Sequence, residues 1–141
     1  MGKMLGGGVE SVVMNYYRHI DRSEVQFDFL VDADSTRVPE EEIKTLGGRV
    51  FRIPPYQHPL RYRKALVRLF HEEHWPIVHS HINTLSVFPL SAAKKAGVPV
   101  RIAHSHSTMG KGEFAKNLMK LALRPLSNPV SYTHLTLPTI A

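Results

Sequence analysis

The chain contains no cysteine, which excludes both disulfide frameworks and thiolate metal sites. No apolar run approaches the roughly 18 residues that a membrane-crossing helix needs. The first residues also lack the apolar core of a signal peptide, so a cytoplasmic location is the expectation. Acidic residues are in deficit: 12 Asp and Glu stand against 18 Lys and Arg, a formal charge of +6. That balance favours anionic partners such as phosphates, nucleic acid or an acidic membrane surface, and selects none of them. Hydrophobic residues at 43% and charged residues at 21% describe an ordinary globular protein. A length of 141 residues suggests one domain able to bury about two thirds of its unfolded surface.

What is present is an alternation of helical and strand patterns. Val9, Val12, Val13, Tyr16, Tyr17 and Ile20 recur at helical spacing, predicting a helix from about Gly8 to Ile20. Val25, Phe27, Phe29 and Val31 alternate as in a strand. Pro39 and three glutamates open a short helix, and Gly47-Gly48 stops it. A strand over Arg49–Ile53 follows. Tyr62, Leu66, Leu69 and Phe70 mark the apolar face of the next helix, with Arg61, Lys64 and Arg68 on another side. Ile77–His81 reads as a strand. The helix through Leu85, Phe88, Ala92 and Ala96 contains Pro89, which demands a late start or a kink. Val98–His104 is a further strand, and Phe114, Leu118, Leu121 and Ala122 define a last helix bearing Lys116, Lys120 and Arg124. Such an order implies parallel strands joined by right-handed crossovers, a doubly wound α/β sheet.

Both ends depart from that plan. A glycine-rich loop normally links a first strand to the first helix, yet only Met1–Leu5 precede Gly6-Gly7-Gly8, and Gly2 and Lys3 make a poor buried strand. The sheet is therefore expected to be incomplete, with an unpaired slot between two strand pairs. At the other end, residues 130–141 (VSYTHLTLPTIA) carry no charge and no clear periodicity. VSYTHLTLPT resembles one reading frame of a transposase-type sequencing-library adapter. Residues 1–129 are accordingly taken as a partial domain, and 130–141 are set aside as non-native.

Two groups of residues can carry chemistry. Gly6-Gly7-Gly8 opens a helix. Glycines let backbone N–H groups approach a ligand closely, and a helix N-terminus favours anions, so a diphosphate is the natural guest. A plain tight turn would use the same residues. Glu10, in the first turn, complements the helix dipole and would repel a phosphate, which points to a structural role. The second group is a pair of His-x-His motifs, His79/His81 and His104/His106. Residues two apart share a strand face, and α/β sheets place ligands at the carboxyl ends of their strands. Histidines there can exchange a proton or orient a hydroxyl. Imidazoles also suit Zn and first-row transition ions, but no Asp or Glu lies beside either motif. Ser80, Ser105, Ser107 and Thr108 suit hydroxyls and phosphates better. The basic helix faces are either solvated surface or a means of holding anionic lipid. Nucleic acid is not expected, because no aromatic residues interleave with the basic clusters.

The stretches GGVESVVMNYYRHIDRSEVQFDFLV, IKTLGGRVFRIP, IVHSH and AGVPVRIAHSHST together resemble the N-terminal half of GT-B glycosyltransferases. The similarity is to the retaining, family 4-like group that includes capsular and exopolysaccharide enzymes, and it spans nearly all of residues 4–128. The resemblance implies two Rossmann-like domains across a cleft, the nucleotide-diphosphate-sugar lying mainly on the C-terminal one and the acceptor on the N-terminal one. It places the donor diphosphate against Gly7 and Gly8. It assigns the strand-end histidine at the transferred sugar or acceptor to His106 first and His81 second. His79, His104, Ser105 and Ser107 become acceptor-side candidates. Retaining members are thought to let the leaving phosphate assist deprotonation, so the histidines would position groups. No cofactor and no metal are implied beyond the nucleotide-sugar co-substrate. The chain departs from the group in lacking the first strand and the second domain, and in having Leu5-Gly6 where a polar residue often precedes the glycines.

The resulting expectation is a fragment of a glycosyltransferase, inactive alone. It would act on a saccharide or lipid-linked acceptor in cell-surface polysaccharide synthesis, with peripheral contact at an anionic inner membrane face. Two rivals predict different observations. A metal-dependent hydrolase built on the His-x-His motifs requires stoichiometric Zn or Mn, and a phosphate- or membrane-binding module requires a chain that folds alone as a stable monomer.

Overall fold

A computed structural model describes residues 1–106 and the backbone of Tyr132–His134. It contains two compact units, Met1–Tyr62 and Arg63–Ala141, and each has parallel strands separated by helices.

In the first unit, helix α1 (Gly8–His19) leads to strand β1 (Phe29–Asp32), helix α2 (Glu40–Thr45) and strand β2 (Val50–Ile53). β1 and β2 pair in parallel, Phe29 opposite Val50 and Asp32 opposite Ile53. Val13, Met14, Tyr17, Phe29 and Ile43 form the core between these elements. α1 ends one residue earlier than the spacing predicts and buries a narrower face. Val13, Met14 and Tyr17 are inside, whereas Val12 and Tyr16 are 44% and 67% exposed. Positions 12 and 16 lie one helical step, about 100°, from 13 and 17, and it is Val13 and Tyr17 that join Phe29 and Ile43 in the core.

β1 is shorter than the alternation of Val25, Phe27, Phe29 and Val31 suggests. Side chains intercept the backbone ahead of it. Gln26 Oε1 accepts the Phe27 N–H at 2.8 Å, and Asp28 Oδ1 accepts the Arg49 N–H at 3.1 Å. Such local bonds compete with a ladder, which begins only where Phe29 N–H reaches Arg49 O at 2.8 Å. Met1–Leu5 form no strand, as expected, but they are not idle. Gly2 makes a single parallel bridge to Val31, and Met4 is 1% exposed. α2 begins at Glu40 immediately after Pro39, with Glu40, Glu41 and Glu42 in its first turn.

Helix α3 (Pro59–Glu73) spans the boundary between the units, burying Tyr62, Leu66 and Phe70 and exposing Arg61, Lys64 and Arg68. The second unit continues with β3 (Ile77–Ser80), a 3₁₀ turn at Asn83–Ser86, α4 (Val87–Lys95) and β4 (Val100–His104). The late start required by Pro89 is what occurs: Pro89 is the third residue of α4, where its missing N–H would have no intrahelical partner. Gly97 closes the turn with φ +80°, a conformation that glycine adopts without penalty. β3 and β4 are parallel, with Ile77 opposite Val100 and Ser80 opposite Ala103. The segment set aside above supplies a short third strand, β5 (Tyr132–His134), parallel to β4. Strand pairing therefore divides as β1–β2 and β3–β4–β5. The helix expected over Phe114–Ala122 and the cations Lys116, Lys120 and Arg124 lie outside the described residues.

Candidate functional site

The parallel register of β3 and β4 is what assembles the site. His79 stands opposite Ile102, so His79 and His81 share a face with Ile102, His104 and His106. The four imidazoles meet there. His104 Nδ1 is 3.3 Å from His79 Nε2, and His81 Nδ1 is 2.9 Å from His106 Nε2. The rings pack as flat neighbours: His104 and His106 stack with centroids 4.2 Å apart and planes 8° apart. His79 and His81 lie 4.1 Å apart. His79 is the exposed member, and the other three are half-buried.

Burial first, and the crowding of imidazoles second, disfavours the charged form of three rings. His79 is pushed down to about 4, first by removal of the charged ring from water and then by the nearby His104 and His106. His81 is pushed down to about 2, again first by burial and then by the imidazoles around it. His106 is lowered by burial and then by His104. At neutral pH these rings are uncharged, each with one N–H donor and one lone-pair acceptor. They can accept a hydrogen bond from a hydroxyl or donate one to an oxygen without imposing charge.

Asn83, which belongs to neither His-x-His motif, holds the end of the site. Its Oδ1 accepts the His106 N–H at 2.7 Å and lies 3.5 Å from Ser105 Oγ. Asn83 has φ 52°, a left-handed conformation that asparagine tolerates better than most residues. The available signal was an Asn two residues past a strand-end histidine, a typical turn former. Beneath the turn, Ser80 Oγ donates to Ser86 Oγ at 2.9 Å, both buried. Of the serine candidates, Ser105 is therefore at the site and Ser107 lies outside the described residues.

The glycine loop is described within the first unit. Gly6 takes φ +86° and Gly7 caps α1 with extended backbone and no side-chain hydrogen bond. A Cβ on Gly8 would meet nothing within 4 Å, whereas one on Gly7 would lie 2.8 Å from Glu10 Oε2. Glu10 Oε1 accepts the Leu5 N–H at 3.1 Å. The carboxylate thus ties down the loop that precedes its own helix, the structural role expected for it.

The family described as glycosyl transferase 4-like domain matches residues 7–140. Among curated proteins, "Putative glycosyltransferase EpsF" of Bacillus subtilis (strain 168) is 44% identical over 112 residues, covering 77% of this chain. The chain spans 29% of that protein's length. No solved structure matches significantly.

Proposed function

Because this chain belongs to the glycosyl transferase 4-like family, we propose that it forms the acceptor side of a GT-B enzyme. That enzyme moves a sugar from a nucleotide-diphosphate-sugar to a saccharide or lipid-linked acceptor, at the cytoplasmic face of a membrane, in cell-surface polysaccharide synthesis. Family membership also favours a transferase over the hydrolase and the non-enzymatic module.

The observation that carries the acceptor reading is the convergence of His79, His81, His104 and His106 at the carboxyl ends of adjacent parallel strands. Neutral imidazoles suit the fixing of a hydroxyl: one ring nitrogen accepts its hydrogen bond and another donates to a neighbouring oxygen. His106 is the first candidate for that contact and His81 the second. His79, His104 and Ser105 extend the polar surface around them. No step needs one of these rings as a base if the leaving phosphate takes the acceptor proton, so their work is orientation. Gly7 and Gly8, at the N-terminus of α1, offer backbone N–H groups and a positive dipole end to the donor diphosphate. The exposed Arg61, Lys64 and Arg68 supply a basic face for anionic lipid.

Titrating the chain, ¹⁵N-labelled at histidine, with acceptor oligosaccharides tests this assignment. Binding should shift the imidazole resonances, and His106→Ala should weaken it at least about tenfold, or 1.4 kcal/mol. Imidazole signals that move with nucleotide-sugars and with no saccharide would sink the acceptor reading. The chain by itself should turn over no nucleotide-sugar, and measurable transfer by the purified chain would overturn that expectation.

A further inference from the structure

The histidine cluster has a second chemical capacity, separate from holding a sugar. His79, His81 and His104 each offer a ring nitrogen, and these atoms lie within 4.8 Å of one another. His104 Nδ1 and His79 Nε2, 3.3 Å apart, share one proton in a hydrogen bond, and a cation that displaces this proton would face both lone pairs at once. A tetrahedral ion with metal–nitrogen bonds of about 2.0–2.1 Å holds its ligands about 3.4 Å apart. The His79–His104 pair already has that separation. Bringing the third ring in takes a movement of up to about 1.4 Å at its nitrogen, from a separation within 4.8 Å to the tetrahedral spacing, within the range of a side-chain rotation.

Two further features fit. Metal-bound imidazoles are oriented by a hydrogen bond at their other ring nitrogen, and His106 Nε2 stands 2.9 Å from His81 Nδ1 as such a partner. The backbone of His106 is itself anchored on Asn83 Oδ1 at 2.7 Å. Among the described residues the ligand group is entirely histidine. Such a set suits Zn²⁺, Ni²⁺ or Cu²⁺ and disfavours Mg²⁺ and Ca²⁺, which take oxygen.

We infer that His79, His81 and His104 form a binding site for one borderline transition-metal ion such as Zn²⁺, on the face shared by β3 and β4. Three protein nitrogens leave a fourth position open to water or to a ligand hydroxyl. An ion there occupies the lone pairs that the acceptor reading assigns to a sugar, so metal and saccharide compete for them. The site itself does not depend on the transferase reading.

Calorimetric titration of the untagged chain with Zn²⁺ alone, free of nucleotide-sugar and saccharide, tests the site directly. The expected result is saturable binding of one ion per chain, no comparable binding of Mg²⁺, and visible absorption bands of tetrahedral cobalt when Co²⁺ replaces Zn²⁺. His104→Gln and His79→Gln should each weaken Zn²⁺ at least tenfold, while His71→Gln, on exposed α3 surface, should not. His79 is exposed, so His79→Gln keeps the fold, and circular dichroism verifies that. Absence of saturable Zn²⁺ binding, or wild-type affinity in folded His79→Gln, overturns the inference. Both results are independent of the saccharide titration above, so either proposal can fail while the other stands.

Discussion

Asn83 does two jobs with one side chain: it turns the chain after β3 and it receives the amide of a residue 23 positions later. Asn83→Gly keeps the left-handed turn without strain but removes the acceptor, so it should cost about 1 kcal/mol and shift the His106 amide resonance. Asn83→Asp retains an acceptor and should leave that resonance near its original position. Denaturant titration and amide spectra of the two variants separate turn from tether. Asp32 provides a second test at this scale. It is 2% exposed at the end of β1, and burial pushes its carboxyl above the usual aspartate range. The folded chain then binds its proton more tightly than the unfolded chain, so stability falls as pH rises from near the ordinary aspartate value through the raised one. Asp32→Asn should therefore raise the unfolding midpoint at pH 7, and the gain should shrink toward pH 4. The strand-end histidines were legible because two His-x-His motifs end two apolar runs. Asn83 was legible only as a turn former and not as the acceptor for His106, and Asp32 not at all, since the burial of one carboxylate has no pattern of its own.

Among the elements, glycines illustrate how position decides tolerance. A Cβ on Gly48 would lie 2.5 Å from Tyr17 Oη and 2.6 Å from the Phe27 carbonyl oxygen. Tyr17 is fully buried, and its hydroxyl donates toward Gln26 Oε1 at 2.6 Å and Leu46 O at 3.2 Å. Gly48→Ala must push α1 away from the approach to β2 and should cost about 1–3 kcal/mol. Gly8→Ala meets open space and replaces a poor helix former in α1, so stability should hold or rise by up to about 1 kcal/mol. Urea unfolding of both variants measures the contrast. The Gly8 variant then separates a folding role from a ligand role, because any loss of diphosphate binding cannot be blamed on the fold. Element identity was readable from period and punctuation: Pro39, Pro89 and Gly97 mark boundaries that the structure keeps. Strand length was not, because Gln26 and Asp28 draw backbone N–H groups to their own side chains. Nor was the buried face of α1, since two adjacent apolar rows fit the same helical period and only packing chooses between them.

For the whole molecule, charge and connection matter more than any one contact. The net charge of +6 and the exposed Arg61, Lys64 and Arg68 predict salt-sensitive binding to anionic vesicles. Each cation near the surface contributes about 1 kcal/mol, but Arg68 also lies 3.7 Å from Glu72 and should contribute least. Co-sedimentation should weaken more in Arg61→Glu/Lys64→Glu than in Arg68→Ala, and equal losses would contradict a directed face. The histidine pairs also bear on what changes of length the chain can absorb. His79 meets His104 and His81 meets His106 at the same offset of 25 residues, so one βα unit repeats the spacing and parallel pairing superimposes it. Extra residues in the turn around Gly97 leave that superposition intact, whereas a single residue inserted within β4 ahead of His104 turns both later rings to the opposite face. Among natural variants of this chain, insertions should therefore accumulate between α4 and β4 and be purged from the strand itself.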